Sequence, residues 1–154
     1  MVARFSIHPR TLVFLLNGDD VLLINRAPEL RLFPGQYNGI GGHVERGEDV
    51  LSSAMREVRE ETGLDVERLS LRGVLTVARS QYRDGVSSED APGALVFIFV
   101  GHTDQRHTRA SDEGKPVWVP LQRLREVNLV PDLYELLPRL LSRPADEGPI
   151  FVAA

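Results

Sequence analysis

The stretch that most limits what this chain can become runs over residues 42–64, GHVERGEDVLSSAMREVREETGL. Val50, Leu51, Ala54, Met55 and Val58 recur at helical spacing and form one apolar stripe. Gly63 follows as a natural left-handed C-cap, with Leu64 placed to fold back on the last turn. The spacing predicts an amphipathic helix over about 48–62. On it Glu57, Glu60 and Glu61 fall within an arc of roughly 100°, overlapping one edge of the stripe. Carboxylates at such spacing repel one another, and the macrodipole disfavours them near a helix C-terminus. A compensating cation is therefore expected, and hard divalent ions such as magnesium or manganese suit oxygen ligands. The plainer alternative is a solvated acidic face partnered by Arg56 and Arg59.

Spacing over the whole stretch shifts the balance. Gly42, five residues, Glu48, seven residues, then Arg56 through Leu64 (REVREETGL) matches the signature box of the Nudix hydrolase family at every specified position. Nine such matches arise by chance on the order of once in a billion start points. This resemblance implies a Nudix-type α/β/α sandwich, with a mixed β-sheet and the box helix packed on it. It also implies hydrolysis of a pyrophosphate bond in a nucleoside diphosphate-linked substrate with a divalent metal. Carried over by position, Glu57 and Glu61 are principal metal ligands and Glu60 assists, directly or through water. Gly41 offers its backbone carbonyl to the metal, while Arg56 and Glu48 pair to orient the carboxylates.

Composition narrows the surroundings. With 154 residues, 42% of them hydrophobic, one domain over 1–154 is the simplest organisation. The chain has no cysteine, which removes disulfides and thiolate metal sites and suits a cytoplasmic location. MVARFSIHPR lacks the apolar core of a signal peptide, and no apolar run reaches membrane-spanning length. A net charge of -4 with no basic tail argues against polymeric nucleic acid as a partner. A small nucleotide is the expected partner, and monomer and homodimer both remain open.

Along the chain, residues 11–17 and 21–26 flank Gly18-Asp19-Asp20 and read as a hairpin whose strands are buried on both faces. Arg26 ends the second strand. By resemblance to MutT-like members it reaches substrate phosphates; otherwise it is a strand-end surface arginine. Residues 27–36 form a loop with proline and glycine. YNGIGG over 37–42 resembles the W-N-G-x-G-G run of Nudix enzymes that act on oxidised purine nucleoside triphosphates. That makes Asn38 a candidate base contact; the alternative is a turn residue bonding its own backbone. Tyr37 stands where those enzymes carry tryptophan, and His43 where lysine is common.

Residues 66–77 have strand character, and 78–93 are a polar loop. Tyr82 in that loop resembles a base-stacking tyrosine of diadenosine-polyphosphate Nudix hydrolases; a plain loop tyrosine is the alternative. Residues 94–102, the most hydrophobic run, predict a central strand. ASDEGKPVWVPLQRL resembles the S-D-E…W segment of the oxidised-purine subgroup, which makes Glu113 a candidate metal ligand or general base from outside the box. Its alternative is a solvated loop acid, and Trp118 reads as core. A short helix over 120–125, a longer one over 131–141 opened by Pro131, and a final edge strand over 149–152 complete the pattern. LVPDLYELLPRLL resembles the W-P-D-D…LL segment of the same subgroup, whose acids read the purine edge. Asp132 matches the first acid; Leu133 and Val130 replace the second and the stacking tryptophan. Asp132 equally suits a helix start near the positive dipole end.

The expected activity is hydrolysis of a nucleoside triphosphate, 8-oxo-dGTP among the candidates, to monophosphate and pyrophosphate. A diadenosine polyphosphate or other nucleotide-conjugate hydrolase is the enzymatic alternative, and a nucleotide-sensing module on the same scaffold the non-enzymatic one.

Overall fold

A computed structural model describes residues 4–78 and 91–154. The elements run β1 (Ile7–Asn17), β2 (Asp20–Arg26), β3 (Tyr37–Asn38), β4 (Ile40–His43), α1 (Val50–Thr62), β5 (Ser70–Val77), β6 (Gly93–His102) and β7 (Gly114–Pro120). A 3-10 turn (Leu121–Glu126), α2 (Leu133–Ser142) and β8 (Ile150–Ala153) follow. The strands form one mixed sheet in the order β3-β2-β1-β6-β5-β8, with β4 paired to β1 and β7 to β2. The parallel β1–β6 pairing makes the sheet's long spine, and β6 is central, as its hydrophobicity predicts.

Side chains on a strand alternate between faces, and here both faces are covered. Val13, Leu15, Leu22 and Ile24 pack with Ala54 and Val58 of α1. Phe14, Val21 and Leu23 point the other way, into a second core with Leu133, Leu136, Leu137 and Leu140 of α2. That explains the near-continuous apolar runs of the first hairpin. The result is the expected α/β/α layering. Full burial of a side chain such as Val58 contributes about 1.5–3 kcal/mol relative to exposure.

Helix α1 starts two residues later than predicted. Asp49 is its N-cap, accepting from the Ser52 backbone N–H at 2.8 Å and from the Ser52 hydroxyl at 2.7 Å. Gly63 ends it as predicted, with φ +78 and its N–H on the Arg59 carbonyl. Leu64 folds back into the core. The apolar stripe needs correction at Leu51, which is exposed. The buried face of the helix includes Ser53, Ala54, Val58, Glu61 and Thr62 instead. α2 begins at Leu133, beyond the Pro131 start expected, and carries Pro138 in its interior. Among the described residues no helix is long and apolar enough to cross a membrane.

Candidate active site

β4 carries the site to the helix. It pairs antiparallel with β1, setting Gly41 opposite Leu12 and His43 opposite Arg10. A Cβ on Gly41 would strike the Thr11 carbonyl, and one on Gly42 would strike the Glu57 carboxylate. Glycine at 41 lets β4 pair closely with β1, and glycine at 42 leaves room for the Glu57 carboxylate. The approach brings the Gly41 N–H to Oε2 of Glu61 at 2.8 Å.

Arg56 organises the acids around it. Its Nε and Nη2 donate to the two oxygens of Glu48 at 2.7 and 3.1 Å. Nη1 reaches Glu57 at 3.0 Å and Glu60 at 3.1 Å, and Nη2 also meets the His43 carbonyl at 3.2 Å. A planar fork serves this many acceptors where an ammonium does not. The arginine holds the Glu48 carboxyl down to about 2, helped by the Glu45 N–H. Burial raises the pKa of Glu57, against the pull of Arg56. Glu61 is pushed up to about 8, first by burial and then by the neighbouring charge of Glu57, while the Gly41 N–H and Arg26 oppose the shift.

Glu113 arrives from the other side. β2 pairs with β7 so that Arg26 faces Gly114, and the Ala27 N–H donates to the Glu113 carbonyl at 3.0 Å. Its charge also raises the pKa of Glu57 and Glu61. Arg26 lines the same space, its Nε donating to the Leu32 carbonyl at 2.9 Å. Asn38 and Asp132 join through a separate device: the Tyr37 N–H donates to the Asn128 carbonyl, and the Val130 N–H to the Tyr37 carbonyl, each at 2.9 Å. These bonds tie the approach to α2 onto β3. Asn38 Oδ1 accepts from the Gly39 N–H at 2.8 Å, the local bond expected of a turn residue. Asp132 makes no side-chain cap bond.

One cleft of about 1270 Å³ is bounded by Glu57, Glu60, Glu61, Gly41, Glu113, Arg26, Asn38 and Asp132 together. Glu48 stands behind Arg56 rather than in the cleft. Tyr82 lies outside the described residues. Trp118 packs at the edge of the α1-side core, donating from Nε1 to the Arg106 carbonyl. Two further cleft residues escape the sequence reading. Thr11 is buried with its hydroxyl unpartnered among the described residues, and a lone hydroxyl at the head of an apolar run was the available signal. Phe33 adopts φ +48, a strained backbone for a bulky residue, and no local pattern announces it.

Among the described residues no three acidic or imidazole side chains are gathered into a closed metal shell, and Glu60 turns outward to Arg56. The donors nonetheless fit a hard divalent cation. Glu57 and Glu61 are desolvated carboxylates whose charges disfavour each other, and a cation between them would reverse that penalty.

The family model for the NUDIX domain matches residues 6–140, and the chain belongs to the Nudix hydrolase family. Members hydrolyse pyrophosphate bonds of nucleotide substrates, generally with a divalent metal. The chain is 32% identical to the oxidized purine nucleoside triphosphate hydrolase of Mus musculus over 136 residues, 86% of this chain and 79% of that protein. It is 45% identical to the NAD-capped RNA hydrolase NudC of Pseudomonas aeruginosa over 65 residues, 42% of this chain but only 22% of that longer protein. The fold is similar to that of a MutT protein from Bacillus halodurans, with a TM-score of 0.72 at 22% identity over 89% of this chain and 84% of that one.

Proposed function

We propose that this chain is a magnesium- or manganese-dependent pyrophosphohydrolase that cuts nucleoside triphosphates to monophosphate and pyrophosphate. Oxidised purine nucleotides such as 8-oxo-dGTP are the first substrates to test. The observation that carries this reading is the shared cleft. The box carboxylates line one part of it, and Asn38 and Asp132, with hydrogen-bonding groups for a base, line another. The relation to the mouse oxidized purine enzyme over 86% of the chain supports the same substrate class.

Glu57 and Glu61 would hold the metal with the Gly41 carbonyl, and Glu60 would join directly or through water. A bound divalent cation neutralises phosphate charge and acidifies an attacking water. Arg56 and Glu48 keep Glu57 and Glu60 in orientation by the bonds described above. Glu113, in the turn just before β7, lines the same cleft and is the candidate to take the proton of the attacking water. The water oxygen bonds to phosphorus as the anhydride P–O bond breaks, and pyrophosphate leaves. Arg26 offers a guanidinium to the phosphates, and Asn38 and Asp132 read the base edge. The complete set of box acids supports an enzyme over a pure nucleotide sensor. Phosphorus NMR of the products from 8-oxo-dGTP with magnesium tests the reading. Pyrophosphate and monophosphate are expected; orthophosphate with diphosphate, or no turnover of any triphosphate, would reject it.

A further inference from the structure

Residues 103–113 join β6 to β7 and carry Glu113 at their end. A long connection holds a side chain in place only if it is itself tied down, and this one is tied along its course. At its start the Thr103 N–H donates to the Leu16 carbonyl at 3.0 Å, and Asn17 Nδ2 donates to the Thr103 carbonyl at 2.7 Å. In the middle the Arg106 guanidinium lies 4.8 Å over the Trp118 ring and reaches Asp20 at 2.9 Å. At Arg109 the strap crosses to α1. The Arg109 N–H donates to the Thr62 carbonyl at 3.0 Å, and its Nη2 reaches the Arg59 carbonyl at 3.4 Å.

Arg109 lies across the helix end. A Cβ on Gly63 would meet its Cγ at 3.1 Å and its Cδ and Nε at 3.3 Å, so the bare C-cap gives this side chain its seat. The backbone bond satisfies a terminal carbonyl that has no partner within the helix, and the guanidinium sits at the negative end of the macrodipole. Thr62 directly follows Glu61, and Glu113 comes four residues after Arg109. A short bonded route thus joins the acids of α1 to Glu113. The chain beyond Arg109 has little slack. Ser111 and Gly114 exchange backbone bonds at 3.0 and 3.2 Å, and the Glu113 N–H donates to the Ser111 hydroxyl at 3.2 Å. Glu57, Glu61 and Glu113 line one cleft, and Arg109 stands outside it.

Resting on the reading of Glu113 as the base, we infer that Arg109 is a positioning residue, whose clamp on the C-terminal end of α1 fixes Glu113 against Glu57 and Glu61. It meets no substrate and acts through Glu113. Its loss loosens the placement of the base and leaves substrate binding in place.

The test is a double-mutant cycle on the full chain with magnesium and the preferred triphosphate. Arg109→Ala is expected to lower kcat about 3- to 10-fold with KM within a factor of about two. Arg109→Lys, which keeps a cation at the helix end, is expected to recover most of that loss. In a Glu113→Gln background Arg109→Ala is expected to cost nothing further, because it acts through that carboxylate. Hydrogen exchange of the metal-free protein gives a second readout: the Ser111 and Glu113 amides are expected to exchange about 10-fold faster in Arg109→Ala, with the interior of α1 unchanged. Unchanged kcat or unchanged exchange in Arg109→Ala, a loss confined to KM, or a full further loss in the Glu113→Gln background overturns the inference while the Glu113 reading stands. Undiminished kcat in Glu113→Gln overturns both. If thermal unfolding shows that Arg109→Ala has lost its fold, Arg109→Gln takes its place in the cycle with the same outcomes.

Discussion

The backbone N–H of Gly41 meets the Glu61 carboxylate at 2.8 Å, across the gap between β4 and α1. Glu61 is only 5% exposed, on the helix face that packs on the sheet. Its carboxyl is raised to about 8 by burial and by Glu57. A raised acid stabilises the fold below its unfolded value of 4.5, and that contribution is lost as pH rises through about 8. Metal-free protein should therefore lose stability from pH 5 to pH 9, by on the order of a few kcal/mol. Glu61→Gln should flatten this slope, and magnesium or manganese should restore stability at pH 8 in the wild type alone. Thermal unfolding across pH, with and without the ion, measures all three.

Arg56→Lys keeps the charge but loses the fork that joins Glu48, Glu57 and Glu60. The expected effect is a fall in kcat of about 10-fold or more with KM changed far less, if the arginine acts by orienting the acids rather than by binding substrate. Steady-state kinetics on the preferred triphosphate checks it. A change confined to KM would assign Arg56 to substrate binding.

Asn38→Ala and Asp132→Asn should each narrow the preference for 8-oxo-dGTP over dGTP by about 10-fold, the scale of one lost hydrogen bond to a base. Turnover of the poorer substrate should change little. The ratio of the two kcat/KM values is the readout. An unchanged ratio in both variants would leave Asn38 as the turn residue its bond to Gly39 also describes.

Arg72 offers a contrast in kind. It is buried, with its guanidinium donating to the carbonyls of Arg143 and Pro144 at 2.8 Å and of Glu147 at 3.0 Å. Arg72→Met should cost about 2–4 kcal/mol in denaturant unfolding, since three carbonyls lose a charged donor. Activity of the folded fraction should remain, because the clamp holds the turn before β8 and lies away from the carboxylates.

Local signals in the chain were legible, and long-range ones were not. Gly63 and the 42–64 spacing announce the helix and its end, because caps and periodicity act within one turn. The first hairpin is legible from its apolar runs and its Gly18 turn, where φ is +56. Leu51 misleads because apolar spacing cannot say which edge of a stripe meets the sheet; in the fold Leu51 is exposed and Glu61 is buried. The Arg72 clamp joins residues more than seventy positions apart, and the Arg10–His43 pairing depends on a ladder between β1 and β4. Thr11 gains meaning only once the fold has buried its hydroxyl. Tyr82 lies outside the described residues, so the diadenosine alternative gains no support from the structure.

The most direct test of the central claim is turnover of 8-oxo-dGTP, dGTP, ordinary nucleoside triphosphates, ADP-ribose and diadenosine tetraphosphate by the wild type and by Glu61→Gln, with magnesium and then manganese. The expected result is metal-dependent turnover of a triphosphate by the wild type, with a loss of at least about 100-fold in a Glu61→Gln protein that remains folded. Undiminished turnover in Glu61→Gln would contradict the metal assignment. Tight nucleotide binding with no turnover of any substrate would contradict the enzyme itself.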